Sequence, residues 1–229
     1  NRYNLPVVKM REALEAGRFG DLVMGTVRVR WSRDQAYYNQ DDWRGTWALD
    51  GGVFANQASH HIDLLEWCMG PPATVFTRTC TALVDIESED TGVAVITFKS
   101  GALGVVEATT ATRPVDLEGS LSLLGADGNV EIGGFAVNRM RQWNFTESLP
   151  GDAEVLEKYS ENPPNVYGFG HVAYLRHVVD VLSNGAQSLV DGAEGRKSLE
   201  LIHAIYQSAE TGTEITIGPD SHSEKLGRK

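Results

Sequence analysis

From Ala73 to Trp143 the chain alternates apolar and polar positions with a period of two. The segments ATVFTRTCTALV, DTGVAVITFK, ALGVVEATTA, LEGSLSLLG, NVEIGG and AVNRMRQW predict six strands. Ser100-Gly101 and Asp127-Gly128 fall between paired strands and predict tight hairpin turns. LVMGTVRVRW, Leu22 to Trp31, reads as a further strand upstream, and TEITIG as a short last one. Hairpins in series imply a largely antiparallel sheet with one face covered and the other available to an interface.

Elsewhere the period is helical. Asn4 can cap a helix that has Pro6 in its first turn, Val7, Met10 and Leu14 as its stripe, and Gly17 as its stop. GHVAYLRHVVDVLSNG predicts a helix with Val172, Leu175, Val179 and Leu182 inward. Asp191 and Glu194 form a capping box for a last helix running through Tyr206 and closed by Gly212. The central helix is GGVFANQASHHIDLLEW, Gly51 to Trp67, opened by Asp50 and stopped by Gly70-Pro71-Pro72. Its spacing puts Asn56, His60, Asp63 and Trp67 near one face. A carboxamide and an imidazole one turn apart have two readings. They can hold a substrate hydroxyl between them, or they can form a hydrogen-bonded core pair.

The polar stretches carry less pattern. SRDQAYYNQDDWRGTWALD is too rich in rings for disorder and is long for a plain connection. Tyr37, Tyr38 and Arg44 could wall a pocket for a sugar or base and meet an anion, or the loop could pack on a neighbouring subunit. Arg28 and Arg30 share a strand face that suits an anion, a solvated surface or a subunit contact. Residues 144–170 form a Pro/Gly-rich excursion, and residues 218–229 a polar tail expected to fray.

The totals narrow the classes. A chain of 229 residues suffices for one large domain. A net charge of -11 disfavours nucleic acid and anionic membranes as partners. Two cysteines, Cys68 and Cys80, make no disulfide framework and suit a cytoplasmic protein. No apolar run is long enough to span a bilayer. The first residue is Asn1, not Met, so a fragment of a longer protein is expected. No G-x-G-x-x-G follows a strand into a helix, and no P-loop is present. A metal site is not expected: His60 and His61 point about 100° apart on a helix and cannot easily share an ion.

The GGVFANQASHHID stretch, with its flanks NRYNLP, EAGRFGDLVMGTVRVRW, WRGTW, LLGADGNVEI and YGFGH, resembles the C-terminal domain of the Gfo/Idh/MocA oxidoreductases. The Asn-Gln pair ahead of the histidine is similar to the UDP-N-acetylglucosaminuronate 3-dehydrogenase branch. The resemblance implies an α+β fold: an open, mostly antiparallel sheet with helices on one face, like the C-terminal domain of glyceraldehyde-3-phosphate dehydrogenase. Residues 1–217 would be a substrate-binding and oligomerisation domain. An N-terminal Rossmann domain, absent here, would bind NAD or NADP and carry a lysine.

His60 would then stand beside the hydroxyl that is oxidised. Asn56, where many members have aspartate, would orient that hydroxyl without taking its proton. Arg2 and Asn4 would approach the substrate at the domain junction, with His171 nearby. The implied chemistry is oxidation of a secondary alcohol of a sugar or nucleotide-sugar by hydride transfer, in a homodimer or homotetramer joined through the sheet face. An inositol or simple-sugar dehydrogenase and a non-catalytic binding module are the alternatives.

Overall fold

The computed structural model describes residues 1–161, 163 and 169–228. The order of elements is α1 (Leu5–Glu15), β1 (Leu22–Arg30), α2 (Gln35–Tyr38), α3 (Ser59–Met69), β2 (Pro72–Cys80), β3 (Thr91–Phe98), β4 (Leu103–Thr109), β5 (Glu118–Gly125), β6 (Gly128–Gly133), β7 (Arg139–Phe145), α4 (Val155–Lys158), α5 (Gly170–Asn184), α6 (Gly192–Thr211) and β8 (Ile215–Thr216). A short 3-10 turn at Asp152–Glu154 precedes α4.

The strands form one open eight-stranded sheet in the order β7-β6-β5-β1-β4-β3-β2-β8. All neighbours run antiparallel except β1 and β4, which are parallel. The alternation in the sequence now has a physical cause. Val27, Val29, Val75, Ala94, Ile96, Val106, Leu121 and Leu123 point to one side and are buried. On that side α3 crosses β1 and β5, and α6 crosses β2. Gly25 sets the approach of α3: a Cβ there would lie 2.7 Å from Leu65 Cδ1 and from Met69 Sδ. Truncating one of these buried aliphatic side chains to alanine costs about 2–5 kcal/mol.

Among the described residues no helix packs on the opposite side of the sheet. Phe76, Val93, Val95 and Leu103 are exposed there, beside a charged stripe. Arg30 pairs with Glu107 at 2.6 Å, and both Arg28 and Arg30 reach Glu118. The two arginines therefore face carboxylates from adjacent strands.

Three expectations need correction. The central helix begins at Ser59, not Gly51. Val172, Leu175, Val179 and Leu182 do not point inward: all are exposed, Leu182 by 81%. Helix α5 lies outside the layered core. It meets Tyr3 through Tyr174 and His177, and among the described residues no strand packs extensively against it. The polar tail is not frayed. Ser223 is buried and donates to Glu210, Leu226 packs on the core, and Gly227 N–H donates to Trp47 O at 2.8 Å. In the excursion before α5, Asn162 and residues 164–168 lie outside the described residues, and with them Tyr167 and Gly168 of the YGFGH segment.

Candidate active site

The stretch before α3 is turn, not helix, and the backbone donors of residues 52–55 are taken by distant groups, Glu89 and Tyr206. Gly51 has φ +75°. A Cβ on Gly52 would lie 2.0 Å from Glu89 Oε2, so only glycine fits over that carboxyl. Asp50 does not cap α3. One of its oxygens accepts from Gly45 N–H at 2.7 Å and the other from the Asn56 amide. Asn56 thus sits outside the helix and is turned toward Asp50 rather than placed one helical turn before His60.

Helix α3 divides its side chains by face. His61, Ile62, Leu64, Leu65, Cys68 and Met69 are buried toward the sheet, and His60 and Asp63 look the other way. The imidazole sealed in the core is therefore His61, at 1% exposure, while His60 is open to solvent.

His60 borders a cavity of about 400 Å³. One wall is the N-terminal segment, with Arg2, Tyr3 and Asn4; another is the start of α5, with His171 and Tyr174; α6 closes it with Ser198, Leu199 and Ile202. Crowding of the ring by these elements lowers the His60 pKa from 6.5; Asp63 opposes the shift and His171 adds to it. Neutral His60 can accept a proton at neutral pH.

The other expected residues are placed as follows. Arg2 is at the cavity but committed: it donates to Asp63 at 2.7 and 2.9 Å and to Glu194 at 3.2 Å, and it lies over the Trp67 ring. It fastens the N-terminal segment to α3 and α6. Asn4 lines the cavity and donates to Ala136 O at 3.2 Å. His171 lines it from α5. Tyr37, Tyr38 and Arg44 are not in this wall. Tyr38 is buried with its hydroxyl 3.0 Å from Thr110 Oγ1, and Arg44 stacks on Tyr37 and Trp43 while donating to Asp41.

The structure also adds wall residues the spacing did not single out. Tyr174, three positions after His171, could have been found by helical periodicity, the same spacing that sets Asp63 on the His60 face. Ser198, which donates to Asp63 at 3.0 Å, carries no local signal.

The chain therefore combines an open α+β sheet, a helix whose exposed histidine borders a cavity, and a clamp from the N-terminal segment. Residues 11–217 match the family model "Oxidoreductase family, C-terminal alpha/beta domain", and the chain belongs to that family, the Gfo/Idh/MocA oxidoreductases.

Among solved structures the chain is similar to the WlbA dehydrogenase from Bordetella pertussis, in complex with NADH and UDP-GlcNAcA. Identity is 43%, the TM-score is 0.86, and the match covers 96% of this chain and 63% of that one. Among curated proteins it is similar to the myo-inositol 2-dehydrogenase of Thermotoga maritima, at 27% identity over 91% of this chain and 60% of that protein. It is also similar to the D-apiose dehydrogenase of Rhizobium rhizogenes, at 22% identity over 95% and 62%. The chain spans roughly three-fifths of the length of these relatives.

Proposed function

We propose that this chain is the substrate-binding part of an NAD(P)-dependent dehydrogenase that oxidises a secondary alcohol of a sugar or nucleotide-sugar. The observation that carries the reading is His60, neutral and solvent-accessible, at the mouth of a cavity built from three separate segments. The likeness at 43% identity to a dehydrogenase solved with NADH and UDP-GlcNAcA supports the nucleotide-sugar form.

Among the described residues no strand passes through a glycine-rich turn into a helix that could cradle a pyrophosphate. The fit is to the substrate side, and binding of NAD or NADP is assigned to the portion of the relatives' length that this chain does not span. Bound there, the nicotinamide supplies the hydride acceptor.

This chain's residues orient the alcohol and manage its proton. His60 takes the hydroxyl proton as the carbon-bound hydrogen leaves. Asn4 and His171 border the space for the rest of the sugar, and Arg2 holds the wall. Tyr37, Tyr38, Arg44 and Asn56 do not border this cavity. The two free cysteines suit a reducing cytoplasm.

The test is NADH formation by the intact protein on UDP-GlcNAcA, myo-inositol and a panel of free sugars. His60→Ala is expected to lower kcat by about 10²-fold or more. Turnover by His60→Ala near that of the parent would remove His60 from the chemistry. Turnover of myo-inositol alone would favour the inositol reading that the 27% relative raises.

A further inference from the structure

Residues 52–55 turn four successive backbone N–H groups into the core. Gly52 and Ala55 donate to the Tyr206 phenol oxygen at 3.0 and 3.2 Å. Phe54 donates to Glu89 Oε1 at 3.0 Å, and Val53 to the Glu89 main-chain carbonyl at 3.0 Å. The Tyr206 hydroxyl donates in turn to Glu89 Oε1 at 2.9 Å. Glu89 is 3% exposed and Tyr206 1%.

Burying a carboxyl is costly, and apolar side chains of equal volume would fill this space more cheaply. They could not accept these N–H groups.

Helix α3 supplies the reason for the expense. Its N-cap is Ala58, which makes no side-chain cap. A helix that presents a working side chain in its first turn still needs that turn held. The path from the buried pair is continuous. Ala58 N–H donates to Val53 O at 2.8 Å, and His61 and Ile62 N–H both donate to Ala58 O at 2.9 Å. Ser59 Oγ adds a bond to Asn56 O at 2.9 Å. His60 lies inside this turn.

We propose that Glu89 and Tyr206 are positioning residues for His60: by gripping the backbone of residues 52–55 they set the first turn of α3 and so the direction in which the His60 imidazole meets the cavity. The catalytic readout of this proposal rests on the dehydrogenase reading; the placement of His60 does not.

The experiment uses Tyr206→Phe, Glu89→Gln and Glu89→Leu in the intact protein. Tyr206→Phe keeps the ring packed against Trp47 and Phe54 and removes the acceptor for two N–H groups. Expected in the folded variant are faster amide exchange over residues 59–62, by about tenfold, and a displaced His60 ring resonance and titration midpoint by NMR. With an oxidisable alcohol, kcat should fall about tenfold with KM nearly unchanged, the signature of lost alignment rather than lost binding.

Glu89→Gln keeps an acceptor for Phe54 N–H and should stay close to the parent. Glu89→Leu should behave like Tyr206→Phe. A folded Tyr206→Phe with unchanged exchange, His60 titration and kcat overturns the proposal. If Tyr206→Phe does not fold, the Glu89 pair decides: identical His60 titration and exchange in the Gln and Leu variants overturns it. If the intact protein oxidises no alcohol, the dehydrogenase reading fails by itself, and exchange and NMR still decide the role of the pair.

Discussion

Successive residues on a helix differ in direction by about 100°, which gives the adjacent histidines of α3 opposite fates. His60 is open to the cavity. His61 points at the sheet, edge-on to the Trp31 ring, and neither of its nitrogens has a hydrogen-bond partner among the described residues. Burial pushes its pKa from 6.5 down to about 3, with the neighbouring His60 contributing. The sign of the consequence is definite. Between those two values the unfolded chain binds a proton that the folded chain refuses, so this residue weakens the fold as pH falls. Glu66 and Glu89 act oppositely. Burial lifts each carboxyl to about 7, so each weakens the fold as pH rises toward neutrality. A His61→Leu variant isolates the first effect, because both carboxyls stay in place. Its stability relative to the parent is expected to rise by about 1 kcal/mol between pH 6.5 and 5.5. Urea denaturation at both values checks this, and a pH-independent difference would contradict it.

Helix α6 is set by its cap. Asp191 accepts the Glu194 N–H at 2.9 Å, and Gly212 closes the far end at φ +71°. Asp191→Ala is expected to cost about 1 kcal/mol, read as a lower urea midpoint at unchanged slope. The Asp191 cap and the closing glycine were both legible, because both are local patterns, but the Glu194 carboxylate of the expected capping box accepts from Arg2 and Lys197 instead. The strands were legible for the same reason: inward and outward residues alternate one by one along the chain. The start of α3 was not. Residues 51–58 have helical spacing, but the N–H groups of residues 52–55 belong to Glu89 and Tyr206, and no local pattern reveals partners that far away. Helix α5 shows a different limit. Its stripe of Val172, Leu175, Val179 and Leu182 is real, yet periodicity shows only that a face is apolar, not that anything in the chain lies against it. At the site, His60 could be singled out from residue type and spacing, whereas Asn4 and His171 follow only from the family resemblance. The clamp of Arg2 on Asp63 and Glu194 joins the N-terminal segment, α3 and α6, and emerges only when those segments meet.

At the scale of the whole molecule, the sheet is covered on one side and open on the other. The open side joins exposed Phe76, Val93, Val95 and Leu103 to an ionic stripe of Arg28, Arg30, Glu107 and Glu118. A large apolar patch beside satisfied charges suits contact with a second copy. Self-association through this face is expected, and Val95→Glu should shift the mass measured by light scattering toward monomer. An unchanged mass would place any contact elsewhere. Among the described residues no helix is long and apolar enough to cross a membrane.

The position of β1 has a kinetic consequence. It is made early but sits mid-sheet, between β4 and β5, with Val27 paired to Val106 on one side and Leu121 on the other. A nascent chain halted soon after Ser100 would expose β1 along both edges. The sheet can therefore close only after most of it has been synthesised, and refolding should be slow, on the order of milliseconds to seconds, as for other long-range β topologies. Stopped-flow refolding measures this directly. A chain rearranged so that β1 follows β4 through a new linker should fold faster to the same sheet.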